Sequence, residues 1–129
     1  MMYLANSLTT LDSKTFPMAG VLPLTIEMTK KLVHFGYADV EFMEDCLLGN
    51  QGTTVRGHSF HCSQATITDE LRASYRVRYS LSGREEMEGY SRCNVLGSYV
   101  HLHFRANPSL AAAFVRQAHL SRHSTVANS

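Results

Sequence analysis

The stretch Gly97-Ser98-Tyr99-Val100-His101-Leu102-His103-Phe104 constrains the fold more than any other part of the chain. Val, Leu, Tyr and Phe suit a pleated, half-buried surface, so the stretch predicts a strand. Side chains alternate across a strand. Leu96, Val100, Leu102 and Phe104 would share one face, and Gly97, Tyr99, His101 and His103 the other. Two imidazoles therefore stand side by side next to a glycine that leaves open space. Asn107-Pro108 then predicts an N-cap and the first position of a helix. A strand that delivers a His just before a loop and a helix is where an α/β enzyme places a general base.

The rest of the chain supplies partners for that strand. Met1 to Leu8 has Met1, Leu4, Ala5 and Leu8 on one helical stripe without a capping residue before it, which suggests a helix whose start lies elsewhere. Asp12-Ser13 is a turn signal, and Phe16 to Leu24, with Pro17, Gly20 and Pro23, predicts a short strand with loop-like ends. Thr25 to Val33 is open between helix and strand, and His34-Phe35-Gly36 reads as a turn. Tyr37 to Met43 alternates strictly, with Ala38, Val40 and Phe42 on the buried face. Thr53 to Ser63 predicts a strand with Gly57 in its middle, leaving room for a ligand or a neighbouring backbone. Gln64 to Arg72 reads as a polar connection. Ser74 to Leu81 predicts a strand with Tyr75, Val77, Tyr79 and Leu81 on one face, and Ser82 to Gly89 an exposed hairpin tip. Pro108 to about His119 predicts the final helix, with Leu110, Phe114 and Ala118 on one stripe. Residues 121–129 are expected to be a disordered tail after a domain spanning 1–120.

Composition narrows the functional classes. A chain of 129 residues that is 44% hydrophobic has the material for one real core. A net charge of +1, with basic residues scattered, predicts neither nucleic-acid nor membrane partners. Cys46, Cys62 and Cys93 are an odd and widely spaced set, which fits a reducing cytoplasm rather than a disulfide framework or a zinc site. No apolar run approaches a membrane span, and no signal-peptide pattern opens the chain.

His101-Leu102-His103 is the best chemical signal. On a strand both imidazoles are close enough to share a metal or a substrate, or else both are satisfied by backbone carbonyls. In Arg56-Gly57-His58-Ser59-Phe60-His61-Cys62-Ser63, His58 and His61 would point to opposite faces, so a two-histidine clamp is disfavoured. Ser59 and His61 share the Gly57 face. None of the cysteines has the setting of a reactive thiolate. Cys46 follows Glu44 and Asp45, and Cys62 and Cys93 fall in predicted strands. No GxGxxG, P-loop, HExxH or GxSxG motif is present.

Four segments, in order, resemble the C-terminal part of the cobyrinic acid a,c-diamide synthase family. They are Met1-Met2-Tyr3-Leu4; Phe16-Pro17-Met18-Ala19-Gly20-Val21-Leu22-Pro23; Phe35-Gly36-Tyr37 leading into Arg56-Gly57-His58-Ser59-Phe60-His61; and Gly97 to Phe104. The resemblance implies an α/β fold, part of a class I (flavodoxin-like) glutamine amidotransferase domain, strand-rich here with a C-terminal helix. It implies that His101 is the catalytic histidine, with His103, Tyr99 and His61 in support. His103 stands where many class I relatives place an orienting Glu, and Ser59 and Cys62 where the family commonly has Glu and Tyr. It also implies L-glutamine and a corrinoid as substrates of the full-length enzyme, with ATP and magnesium held outside this chain and no cofactor within it. The nucleophilic Cys of the family precedes the segment matching Met1-Met2-Tyr3-Leu4, so the chain alone is expected to be inactive. Alternatives are a related synthase acting on nickel-sirohydrochlorin, a small metal-binding module built on His101 and His103, and a non-catalytic remnant that forms a homodimer.

Overall fold

The computed structural model describes residues 1–126. After a single 3-10 turn at Met2–Leu4, the strands are β1 (Ser7–Thr9), β2 (Thr15–Pro17), β3 (Leu24–Met28), β4 (His34–Phe42), β5 (Thr54–His61), β6 (Ser63–Ile67), β7 (Arg72–Tyr79), β8 (Glu85–Arg92), β9 (Val95–Gly97) and β10 (Val100–Leu102). One helix, α1 (Pro108–Val126), ends the described chain. The architecture is thus strand-rich with a C-terminal helix, as expected. No helix among the described residues is long and apolar enough to cross a membrane.

Period-two alternation builds the larger sheet, which runs β10-β5-β4-β7-β8-β9 with every neighbour antiparallel. Ala38, Val40 and Phe42 of β4 point the same way as Val55 of β5 and Tyr75, Val77 and Tyr79 of β7. These side chains form one cluster with Val100 and with Leu110 of α1. The two edge strands, β9 and β10, are joined by Ser98 and Tyr99 alone. Three Cα steps span at most about 11 Å, whereas the edges of a flat six-stranded sheet would lie about 24 Å apart. The sheet must therefore curl until its edges approach, closing around that cluster in the manner of a barrel.

A buried carboxylate fastens the closure. Glu88 of β8 is 4% exposed. It accepts hydrogen bonds from Ser98 Oγ at 2.6 Å and from the Tyr99 backbone N–H at 2.7 Å. Gly57 allows the closing strand to sit close. A Cβ there would lie 2.5 Å from Val100 Cγ1, so the room it leaves is taken by that side chain. The smaller sheet runs β2-β1-β3-β6, with β1 and β3 parallel and the other pairs antiparallel. It packs Leu24 and Ile26 against Ala5, Leu22 and the flank of Tyr99. The chain passes from the larger sheet to the smaller through Cys62, between β5 and β6.

Several local expectations are corrected. Met1 to Leu8 is a 3-10 turn followed by β1 rather than a helix, although Met1, Leu4, Ala5 and Leu8 all reach one cluster as the stripe implied. Pairing of β1 with both β2 and β3 outweighs helix propensity there. His34-Phe35-Gly36 lies within β4, and residues 63–67 form a strand rather than a polar connection. The single strand expected around His101 is broken at Ser98-Tyr99 into β9 and β10. Asn107 caps α1 as expected, its Oδ1 accepting the Ser109 N–H at 3.2 Å. The helix runs on past His119, so residues 121–126 of the expected tail are helical and 127–129 lie outside the described residues.

Candidate functional site

The four histidine and tyrosine positions singled out in the sequence fall into two clefts. The division follows from the break at Ser98-Tyr99. Beyond it, β10 pairs with β5 so that His101 is opposite His58, Val100 opposite Ser59, and Leu102 opposite Gly57. Directly opposed residues share a face. Val100 and Ser59 therefore point into the core, and His101 and His58 point out of it. Tyr99 sits at the bend and turns its ring the other way, onto His61. The expected common face of Tyr99, His101 and His103 is thus divided.

The outer cleft, of about 550 Å³, is lined by Tyr37, Arg56, His58, His101, His103 and Arg105, with Leu102 at its floor. Tyr37 is opposite His58 in the β4–β5 register, and the two rings meet edge to face at 5.7 Å. The Arg56 guanidinium lies over the Tyr37 ring, 5.3 Å from its centre. His101 and His103 are both exposed, open to a small ligand and to a thiol brought alongside.

The inner cleft, of about 280 Å³, lies at the junction of the two sheets and is lined by His34, His61, Arg84, Glu86, Glu88 and Tyr99 among others. His61 stacks on Tyr99 at 3.8 Å, and His34 stacks on Tyr79 at 4.2 Å. The Ser63 carbonyl accepts a hydrogen bond from His61 Nδ1 at 2.9 Å, which fixes the tautomer and leaves Nε2 as the free lone pair. Ser63 Oγ and the Tyr99 hydroxyl are 2.7 Å apart, and Tyr79 donates its hydroxyl proton to Glu86 Oε1 at 2.6 Å. Glu86 also receives Arg84 at 2.9 Å and faces His34 Nε2 at 3.5 Å.

Burial dominates the electrostatics of this inner cluster. It holds His61 below the ordinary imidazole value, and the nearby His34 and His101 charges push the same way. It lowers His34 too, with Glu86 opposing and Arg84 adding to the effect. It raises Glu88 above the usual carboxylate range despite the two donors on it. The tyrosine hydroxyls of Tyr79 and Tyr99 are pushed up by the same desolvation. The inner cluster thus pairs two imidazoles, each stacked on a tyrosine ring and each with its pKa lowered by burial, and His61 is further held by the Ser63 carbonyl.

His101 and His103 line the outer cleft together, and His61 and Tyr99 the inner one. His58 joins His101, as its opposition to His61 on β5 required. The sequence reading missed His34, Tyr79, Glu86 and Glu88 as partners of His61 and Tyr99. Their meeting depends on pairings between β4, β7 and β8 that leave only the ordinary alternation as a local signal. Cys46 is held above its ordinary value by burial, Cys62 sits at the β5–β6 break, and Cys93 is an exposed turn residue with φ 52°. None of the three lines either cleft. Among the described residues no three His, Cys, Asp or Glu side chains are grouped as a metal ion would require.

Residues 1–109 match the family described as the CobB/CobQ-like glutamine amidotransferase domain. Similar curated proteins carry the name cobyrinate a,c-diamide synthase. One from Leptospira interrogans is 34% identical over 118 residues, covering 90% of this chain and 26% of the relative. One from Archaeoglobus fulgidus is 33% identical over 120 residues, 92% of this chain and 26% of the relative. One from Listeria monocytogenes is 38% identical over 108 residues, 83% of this chain and 24% of the relative. The chain spans about a quarter of the length of these relatives.

Proposed function

The chain belongs to the family of CobB/CobQ-like glutamine amidotransferase domains, and on that premise we propose that it is the histidine-bearing part of the glutaminase domain of a cobyrinate a,c-diamide synthase. In this reading a cysteine thiol supplied from outside residues 1–129 attacks the side-chain amide of glutamine. His101 takes the thiol proton and passes it to the departing ammonia. Water then hydrolyses the thioester, with His101 as the base. The ammonia goes on to a corrinoid side-chain carboxylate that the rest of the enzyme activates with ATP and magnesium. The a and c acetate groups become amides.

The observation that carries this reading is the family match across the segment that places His101 at the mouth of an open cleft. Two others support it. The cleft has no thiol of its own among the described residues. Met1 packs beside Gly97, four residues before His101, its Cγ 3.4 Å from where a Gly97 Cβ would stand. His103 cannot give the fixed negative charge of an orienting Glu, and in this reading it lines the cleft beside His101. His61 and Tyr99 act behind it, bracing the Ser98-Tyr99 link from the inner side.

The test compares two proteins. The purified 129-residue chain should release no ammonia from glutamine above the rate of a boiled control. Joined behind the remaining part of a cobyrinate a,c-diamide synthase, in place of the relative's own matching segment, it should support glutamine-dependent amidation. Ammonia release by the chain alone that disappears in His101→Ala would overturn the need for an external thiol. A folded fusion that amidates only with ammonium salts would overturn the glutaminase reading.

A further inference from the structure

We infer that Glu88 is a positioning residue for His101: its carboxyl fixes the backbone of Ser98, Tyr99 and Val100 and so sets where the imidazole stands in the outer cleft. The inference rests on the reading of His101 as the base. It adds to that machinery a residue that lines the other cleft.

His101 is the middle residue of β10, which is three residues long and pairs in the larger sheet with β5 alone. Its side chain is exposed, so the ring goes where the backbone carries it. The approach to that backbone is Ser98-Tyr99-Val100, and Glu88 holds all three. Its Oε2 accepts from Ser98 Oγ at 2.6 Å, and its Oε1 accepts from the Tyr99 N–H at 2.7 Å. Ser98 Oγ in turn accepts the Val100 N–H at 2.9 Å. The two backbone N–H groups immediately before His101 are thus tied to one carboxyl, the first directly and the second through a hydroxyl.

The anchor is itself well held. Glu88 is buried, on a strand that has a neighbour on either side, β7 and β9. Tyr99 is gripped from the smaller sheet as well. Its ring stacks on His61 at 3.8 Å, and its hydroxyl lies 2.7 Å from Ser63 Oγ. Val100 is buried against Gly57. Burial lifts the Glu88 carboxyl above the usual carboxylate range despite its donors, so closing the sheet through it costs more than an apolar contact would. What a carboxyl supplies and an apolar side chain does not is a fixed place for two donors. Reacting groups must be held to within about 0.5 Å, and a misplacement of about 1 Å can cost about 10²-fold in rate.

The experiment makes Glu88→Ala, Glu88→Gln and Ser98→Ala both in the 129-residue chain and in its fusion to the remaining part of a cobyrinate a,c-diamide synthase. By NMR of the chain, Glu88→Ala should move the imidazole signals of His101 and the backbone amide signals of residues 99–101, while the amide signals of Ala38 and Val77 in the core stay in place. Glu88→Gln, which keeps both contacts, should leave all of them near the wild-type positions. In the fusion, Glu88→Ala should lower kcat with glutamine by about 10²-fold with little change in KM. Glu88→Gln should restore the wild-type kcat. Ser98→Ala, which cuts only the tie to Val100, should fall between the two, and it decides the matter in the same way if Glu88→Ala does not fold. The inference is overturned if the Ala variant keeps its core signals and leaves those of His101 unmoved, or if Glu88→Gln loses as much kcat as Glu88→Ala. The kinetic criterion applies where His101→Asn lowers the glutamine-driven rate. If that substitution has no effect, the reading of His101 as the base fails, and the NMR comparison still decides whether Glu88 places it.

Discussion

Replacing Glu88 tests how the larger sheet is closed. Its carboxyl is buried and holds the two residues that join β9 to β10, through Ser98 Oγ at 2.6 Å and the Tyr99 N–H at 2.7 Å. Glu88→Ala removes both acceptors and strands the Tyr99 N–H. Hydrogen bonds to an ionised group contribute about 1.5–3 kcal/mol each. Part of that gain is offset by the cost of burying the carboxyl, which is what raises its pKa. The net loss expected for Glu88→Ala is about 2 kcal/mol, a fall of roughly 5–10 °C in Tm for a domain of this size. Glu88→Gln behaves differently. Its carbonyl accepts from Tyr99, its amide donates to Ser98 Oγ, and the Ser98 hydroxyl turns to the Val100 carbonyl already 3.3 Å away. Both contacts survive without a buried charge.

The pH dependence has a definite sign. The native pKa of Glu88 is raised above 4.5, so the folded chain holds this proton more tightly than the unfolded chain. The stability it contributes is present below the ordinary carboxylate value and is lost as pH rises towards the native value. Urea unfolding of the three proteins at about pH 5 and about pH 8 measures this. Glu88→Gln should gain on the wild type between the two conditions and match or exceed it at the higher. A Glu88→Gln protein as unstable as Glu88→Ala at the higher pH would refute the reasoning, because the charge itself would then be what holds the link.

Other consequences are as direct. His34 and His61 have native values held below 6.5, so the unfolded chain binds those protons more readily and stability falls as pH drops through the window below 6.5. His61→Phe, which keeps a ring against Tyr99, should flatten that acid limb in chemical unfolding measured across the window. Gly57→Ala places a Cβ 2.5 Å from Val100 Cγ1 and should cost about 1–3 kcal/mol by overpacking. Adding Val100→Ala, which deletes the clashing methyl, should recover part of the loss in a double-mutant cycle, and strict additivity would contradict the contact.

The buried faces were legible wherever alternation was strict. Ala38, Val40 and Phe42 share one face as the alternation implies, and so do Tyr75, Val77 and Tyr79, and both faces wall the core; Leu81, expected beside the latter three, lies past the end of β7 in a turn and is 77% exposed. The opposition of His58 and His61 on β5 was also legible, because it needs only the two-residue period. What was hidden depends on residues far apart in the chain. The strand through His101 breaks because Glu88, ten residues before Ser98, holds the link and turns it. No local feature of Gly97 to Phe104 announces that. His34 looked like a turn residue because Gly36 follows two positions later, yet β4 carries that glycine at φ 117° inside a strand. Met1 to Leu8 showed which side chains are buried but not the backbone that buries them. The role proposed for His101 rests on the family resemblance, whereas only the fold shows that His101 and His61 stand on opposite faces of the same pair of strands.

The account turns on His101 as the base that activates glutamine hydrolysis. The most direct measurement takes the fusion with the remaining part of a cobyrinate a,c-diamide synthase, introduces His101→Asn, and compares amidation driven by glutamine with amidation driven by ammonium salts. The account predicts that the glutamine-driven rate falls by about 10²–10⁴-fold while the ammonium-driven rate is unchanged. A glutamine-driven rate that survives the substitution would contradict it.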